Sequence, residues 1–184
     1  EPPPSSYPRI DAGTLVPIHR VKFPKIPGAA LPTVIHAASR LDFGPDWNRG
    51  NISVEPPRLG KAFSSLVSQV DKVGNEVASL RSLELLVPLA TYAPWNLRAE
   101  HPGGSGELTD FLGTYIPFPR TEAERARSGD PRPSIEARYA TKVHYLSAAS
   151  KAAASLVAAG YLLSADIPRV LDRAARHWDW IMQQ

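Results

Sequence analysis

Cysteine is absent from this 184-residue chain, and no apolar run approaches the roughly 20 residues that a membrane-spanning helix needs. The missing cysteines exclude disulfide bonds, thiol nucleophiles and cysteine-ligated metal sites. No charged start followed by an apolar stretch indicates a signal peptide. The sequence therefore predicts no membrane span and no thiol chemistry.

The local signatures of a self-sufficient serine hydrolase are also missing. Gly103-Gly104-Ser105-Gly106 begins like the Gly-x-Ser-x-Gly turn that presents a nucleophile, but Glu107 stands where the last glycine should be. No serine lies three residues before a lysine, which excludes a Ser-x-x-Lys pair. We therefore predict no catalytic residue on this chain, and a reaction carried by Ser64 or Ser65 with a histidine stays a separate alternative.

The histidines do not form a metal-binding pattern. None is followed by another four residues later, and no cysteine assists them. His144 lies within a predicted helix and His177 near an apolar face, so we interpret both as structural histidines with satisfied ring nitrogens. We predict no metal and no cofactor.

Proline is abundant instead, with 19 residues, about twice the usual share. Residues 1–60 hold most of them, and because proline cannot donate to a strand ladder, we expect an extended arm and edge strands there. The formal charge is +3, with basic and acidic residues interspersed. This pattern is typical of a solvated surface and predicts no nucleic-acid partner.

The remaining segments predict an α+β fold for the isolated chain. Turn residues between β-prone runs predict a β-hairpin near residues 63–81, followed by a buried strand over residues 85–91 that Pro88 interrupts. We assign the hairpin and strand to residues 61–98, a loop and short helix to 99–133, and C-terminal helices to 134–184. Together they form one domain or part of a larger one.

Capping residues set the bounds of the predicted helices. Thr121 and Glu124 form a capping-box pattern that begins a short helix, which ends near Gly129. Ser134 is suited to cap one long helix reaching Gly160, because apolar residues recur every three or four positions between them. Asp166 is predicted to cap the last helix. The apolar positions of the long helix are Ile135, Tyr139, Val143, Leu146, Ala149, Ala153 and Val157.

Tyr92, Trp95 and Asn96 are the candidate substrate-pocket residues. They follow a predicted buried strand, a position from which side chains commonly line a pocket. Alternatively, two of these residues are purely structural: Trp95 fills the top of the core and Asn96 satisfies the hydrogen bonds of a turn. Both interpretations stay open at this point.

Several phrases of the sequence resemble a known family. They are Glu1-Pro-Pro-Pro-Ser-Ser-Tyr-Pro-Arg-Ile10, Leu41-Asp-Phe-Gly-Pro45, Val70-Asp-Lys-Val-Gly-Asn-Glu76, Val87-Pro-Leu-Ala-Thr-Tyr92, Trp95-Asn-Leu-Arg98, Gly129-Asp-Pro-Arg-Pro-Ser134 and Arg138-Tyr139. In order and spacing they resemble the C-terminal portion of a large bacterial family of α/β-hydrolase-domain esterases. The resemblance runs through nearly the whole chain.

The resemblance implies a hydrolase whose nucleophilic serine, acid and histidine lie upstream of the segment that opens this chain. The chain would then be the C-terminal part or small subunit of a serine-type hydrolase. It would complete the α/β-hydrolase fold with a catalytic polypeptide and act on small carboxylic esters or related acyl compounds. The alternative is a non-catalytic binding or structural module. Because the chain opens on Glu1 rather than methionine, we expect a processed or trimmed product, and export of such hydrolases favours an extracytoplasmic location.

Overall fold

The computed structural model describes residues 14–32, 38–63, 66–78, 80–99, 103–109 and 111–184. Within these ranges the chain forms five α-helices and three two-stranded antiparallel sheets. This mixture of helices and small sheets agrees with the predicted α+β class. Ser64 and Ser65 of the predictions above lie outside the described residues.

The first sheet joins distant parts of the sequence. β1 (Leu15–Pro17) pairs antiparallel with β4 (Leu66–Ser68). The predicted hairpin near residues 63–81 is consequently reduced to its turn, where Val70 and Glu76 form an isolated antiparallel bridge. The difference arises because β4 pairs with a strand about fifty positions earlier, which the local turn pattern cannot reveal.

The second sheet is an exposed ribbon within the proline-rich part of the chain. β2 (Ser39–Asp42) pairs antiparallel with β3 (Arg58–Ala62), with an irregularity between Ser39 and Leu41. Every residue of β3 is exposed. The ribbon thus adds little to the core.

The third sheet lies in the core. The predicted strand over residues 85–91 is wrong at its start, because α1 (Leu83–Leu86) precedes Pro88 and the strand begins only after it. β5 (Ala90–Ala93) pairs antiparallel with β6 (Thr114–Pro117). Proline lacks the N–H that a continuous strand would need, so the chain changes from helix to strand around Pro88.

The short helix α2 (Glu122–Ser128) has the predicted ends. The Thr121 hydroxyl accepts a hydrogen bond from the Glu124 backbone N–H at 3.1 Å, and Gly129 ends the helix with φ 68°. The Glu124 carboxylate differs from an ordinary capping box, because it accepts from the backbone and guanidinium of Arg120. The predicted N-terminal and C-terminal caps are both confirmed.

The long helix predicted from residue 134 to 160 is divided. α3 (Ile135–Tyr139) is capped by Ser134 as predicted, but α4 (Lys142–Ala158) begins anew with Thr141 accepting from the His144 N–H at 3.3 Å. Between them Ala140 has φ 55°, a conformation that breaks the helical ladder.

The break also changes which residues are buried near the start of α4. Tyr145, Ala149 and Ala153 face the core, whereas Val143, an expected core residue, is 74% exposed. Val143 lies in the first turn after the break at Ala140, so the helical spacing counted from Tyr139 does not extend to it. The apolar stripe predicted across 135–157 is therefore wrong at Val143, but Ala149 and Ala153 are buried as predicted and Leu146 packs against the core.

The last helix, α5 (Ile167–Gln183), runs antiparallel to α4, and Lys142 at the start of α4 contacts Asp179 near the end of α5. It buries Ala174, Trp178 and Ile181, apolar residues that recur at helical spacing. Asp166 precedes the helix but makes no side-chain capping bond, so its predicted capping role is wrong; it pairs with Arg169 instead. None of the described helices has the length and apolarity needed to cross a membrane.

Candidate functional site

A cavity of about 600 Å³ lies where α1, the β5–β6 sheet and helices α4 and α5 meet. Its volume falls within the range of about 300–1,000 Å³ that is typical of small-molecule sites. Its lining combines aromatic rings, two arginines, one carboxylate and one imidazole. The lining residues are Leu83, Glu84, Tyr92, Tyr115, Tyr145, Arg173, Ala174, Arg176, His177 and Trp180.

Aromatic side chains from the sheet and from α5 form one wall of the cavity. Tyr92 of β5 and Tyr115 of β6 are cross-strand partners whose ring centroids lie 5.4 Å apart in an edge-to-face arrangement. Tyr115 also lies 5.9 Å from the Trp180 ring. Directly opposed residues of an antiparallel pair lie on the same face, so the register of β5 and β6 places both tyrosines at the cavity.

A tyrosine and a histidine form a polar pair in this wall. The Tyr115 hydroxyl lies 2.6 Å from Nε2 of His177. Burial lowers the pKa of His177 and raises the pKa of Tyr115 to about 12. At neutral pH the imidazole is therefore uncharged and the phenol protonated, and one hydrogen bond joins them. The interpretation of His177 as a satisfied histidine agrees with this contact.

Two further tyrosines supply protonated hydroxyls. Burial is the largest cause that raises the pKa of Tyr92 and that of Tyr145, and neighbouring tyrosines and Glu84 add to it. Neither hydroxyl makes a hydrogen bond to a group of the described residues. Both are thus available as donors at neutral pH.

The charged residues of the cavity come from two helices. Glu84 of α1 pairs with Arg173 of α5, and Arg176, one turn further along α5, pairs with Asp172 at 2.9 Å on the solvent side. Each arginine of the lining is therefore already paired with a carboxylate. Both pairs are made through Nη2, so other guanidinium N–H groups stay available to a ligand.

The edge of β5 is held by the turn at residues 71–75. The Asn75 side chain donates to the Ala90 carbonyl at 3.0 Å and accepts from the Tyr92 N–H at 2.8 Å. The amide of this fully buried side chain thereby pairs with the strand as a peptide group would. Asp71 fixes the turn by accepting from the Asn75 N–H at 3.0 Å.

Gly74 allows this turn to approach the sheet closely. Its φ is +87°, and a Cβ atom built there would lie 2.9 Å from both Phe23 and Thr91. Only glycine fits both the backbone conformation and the space. The segment from Val70 to Glu76, one of those that resemble the family, thus has a structural role behind the cavity.

A buried ion pair supports the opposite face of the sheet. Arg132, 2% exposed, forms bidentate bonds to Asp130 and donates to the Thr91 hydroxyl at 3.0 Å. It also donates to the carbonyls of Ile116 and Pro117 at 2.9 Å. Adjacent strand residues point to opposite faces, so Thr91 meets Arg132 while Tyr92 faces the cavity. The phrase from Gly129 to Ser134 is therefore structural as well.

The structure separates the three predicted pocket residues. Tyr92 lines the cavity, but Trp95 and Asn96 line a smaller one of about 130 Å³ formed with residues 28–30. Trp95 packs edge-to-face on Phe23 at 4.9 Å and donates from Nε1 to the Ala30 carbonyl at 3.1 Å. The Asn96 side chain accepts from the Leu97 N–H at 2.8 Å, as a turn residue does. That any of the three contacts a substrate stays a prediction.

Sequence reasoning missed most of the cavity. Tyr115, Tyr145 and Trp180 come from three elements that are far apart in sequence, and no spacing rule joins them. The one available signal was the aromatic content of β6 and α5, which is equally typical of a core. His177 was singled out, but nothing in the sequence indicates Tyr115 as its partner.

Among the described residues that line the cavity there is no serine, threonine, cysteine or aspartate. Among the described residues, no group of three or more histidine, aspartate or glutamate side chains is arranged to hold a metal ion. The described cavity can therefore bind and orient a ligand through aromatic contacts and hydrogen-bond donors, while a nucleophile would have to come from elsewhere.

These features define an α+β protein with an aromatic, donor-rich cavity. A family model described as an alpha/beta hydrolase domain matches residues 3–172. Since this match covers most of the chain, the protein belongs to the alpha/beta hydrolase domain family, which indicates a hydrolase-like protein. Searches among curated proteins and among solved structures gave no significant match.

Proposed function

We propose that this chain is the C-terminal part or small subunit of a serine-type α/β hydrolase that acts on carboxylic esters or related acyl compounds. The observation that carries the proposal is the family match over residues 3–172 of a sequence without a Gly-x-Ser-x-Gly turn. A catalytic polypeptide would supply the Ser-His-acid triad. This chain would supply part of the substrate pocket.

The cavity supports a binding role rather than a chemical one. Tyr92, Tyr145 and the arginines offer donors to a carbonyl oxygen, and the aromatic wall offers apolar contact to the rest of a small molecule. In the proposed mechanism the serine of the catalytic polypeptide attacks the ester carbon, expels the alcohol and forms an acyl-enzyme that water hydrolyses. Backbone donors of that polypeptide would stabilise the oxyanion.

The test compares the chain alone with the chain in its assembly. Purified residues 1–184 should hydrolyse no p-nitrophenyl ester, because no nucleophile is predicted on it. The protein isolated from its native source should contain a larger polypeptide that a fluorophosphonate probe labels at serine and that stays with this chain in native mass spectrometry.

Two results would count against the proposal. Appreciable turnover by the chain alone, abolished by a serine substitution within it, would place the nucleophile here. A monodisperse monomer from the native source, without a probe-reactive polypeptide, would instead favour the non-catalytic binding or structural module.

A further inference from the structure

We propose that the cavity lined by Tyr92, Tyr115, Tyr145 and Trp180 binds an aromatic acyl group, that is, a benzoate-like or cinnamate-like ring together with its carbonyl oxygens. This inference rests on the proposed function and deepens it by naming the acid half of the ester. It concerns binding alone, so it can be tested without turnover.

The aromatic wall favours a flat ring over an aliphatic chain. The contacts Tyr92–Tyr115 and Tyr115–Trp180 have centroid separations of 5.4 and 5.9 Å with interplanar angles of 66° and 55°. Wall rings inclined to one another in this way present both faces and edges. A ligand ring can add edge-to-face and offset contacts to such a wall, which an alkyl group of equal area cannot.

The hydrogen-bonding groups favour an acceptor-rich ligand. Tyr92 and Tyr145 have hydroxyls without partners among the described residues, and their raised pKa values keep them protonated. Glu84, the carboxylate found among the described lining residues, is already paired with Arg173. Two hydroxyl donors that no protein acceptor occupies suit a carbonyl or carboxylate oxygen of a ligand.

The arginines of the cavity favour an acid over an amine. Arg173 pairs with Glu84 and Arg176 with Asp172, each through Nη2, which leaves other guanidinium N–H groups for a second acceptor. An aromatic carboxylate can accept charge-assisted hydrogen bonds from these groups, whereas a protonated aromatic amine has no acceptor to offer them. An ester and its free acid share the ring and carbonyl, so the experiment includes both forms.

Calorimetric titration of residues 1–184 separates these contributions. Benzoate should bind about tenfold more tightly than cyclohexanecarboxylate, which keeps the charge but lacks the π face. Methyl benzoate, the uncharged ester, should bind more weakly than benzoate and more tightly than benzylamine. Affinity for benzoate should also fall with added salt, since part of it is electrostatic.

Conservative variants locate the site. Tyr92→Phe and Tyr145→Phe each remove one hydroxyl and should weaken benzoate binding about fivefold. Tyr161→Phe is the matched control, because Tyr161 is half exposed and lies outside the cavity. Thermal unfolding of all three variants shows that the fold is kept.

Equal affinity for benzoate and cyclohexanecarboxylate would overturn the inference, as would unchanged affinity in both cavity variants. These outcomes differ from failure of the proposed function. Aromatic acids that bind here in a protein without any probe-reactive hydrolase polypeptide would retain the ligand class and refute the esterase role.

Discussion

Replacing Arg132 by methionine should reveal how strongly the region behind the cavity depends on one side chain. Arg132 is 2% exposed and joins Asp130, the Thr91 hydroxyl and two carbonyls of the chain around β6. Methionine has a similar length but no donor. The substitution leaves the Asp130 carboxylate buried without a cation. It also removes the hydrogen bonds that Arg132 donates to the carbonyls of Ile116 and Pro117.

The expected loss of stability is large for one substitution. Removing one partner of a buried ion pair costs about 3–5 kcal/mol, chiefly because the remaining charge is uncompensated. For a chain of this size each kcal/mol corresponds to roughly 2–4 °C in Tm, so Arg132→Met should lower Tm by roughly 10 °C. Substituting both Arg132→Met and Asp130→Leu should recover part of this loss, since no isolated charge then stays buried.

Urea unfolding monitored by circular dichroism gives the free energy directly. Arg169→Met is the matched control, because Arg169 is 79% exposed in its pair with Asp166 and such pairs contribute at most about 1 kcal/mol. If Arg132→Met and Arg169→Met unfold at the same urea concentration, the buried network does not stabilise the fold as argued.

The same ion pair predicts a dependence on pH. Burial acts to raise the pKa of Asp130, but the hydrogen bonds and charge of Arg132 outweigh it, and the net pKa is lowered from 3.8. A lowered folded-state pKa contributes stability above the unfolded value that is lost as pH falls through the folded value. Acid should therefore destabilise the wild type below about pH 4, and Asp130→Asn should lack this component. Parallel acid-unfolding curves for the two proteins would contradict the assignment.

Three further substitutions test the description of the fold. Asn75→Ala should cost about 2–3 kcal/mol in urea unfolding, because it removes two buried hydrogen bonds to β5; a cost below 0.5 kcal/mol would refute the pairing. Thr141→Ala should cost about 1 kcal/mol by removing the cap of α4, and Thr141→Ser should retain most of it. Trp95→Ala should leave benzoate affinity unchanged while increasing amide exchange near Ala30, whereas weaker benzoate binding would place Trp95 at the ligand.

Local chemistry made the ends of several elements predictable. The helix caps at Thr121, Ser134 and Gly129 each form a hydrogen bond with a partner three or four positions away in the sequence. Local spacing alone therefore identifies them. The buried face of α5 was predictable for the same reason, since its apolar residues recur within one continuous helix.

The other features depend on tertiary contacts. The break at Ala140 was hidden because apolar residues continue at helical spacing across it, while Thr141 is an ordinary helix residue unless its capping bond is known. The pairing of β1 with β4 and the contact between Tyr115 and His177 join residues 49 or more positions apart. Tyr92 was identified by its position after the strand, but the split between Tyr92 and Trp95 depends on which cavity each side chain reaches.

The side-chain amide of Asn75 has a consequence for assembly. By occupying the Ala90 carbonyl and the Tyr92 N–H, it closes the free edge of β5 to any additional strand. At the outer edge of β6, Pro117 has no N–H to donate, and its carbonyl accepts a hydrogen bond from Arg132. The β5–β6 sheet is thus poorly suited to extend another sheet or to associate edge-to-edge with a second copy of the chain. The catalytic polypeptide proposed above would meet this part of the chain through side-chain packing rather than through shared strand hydrogen bonds.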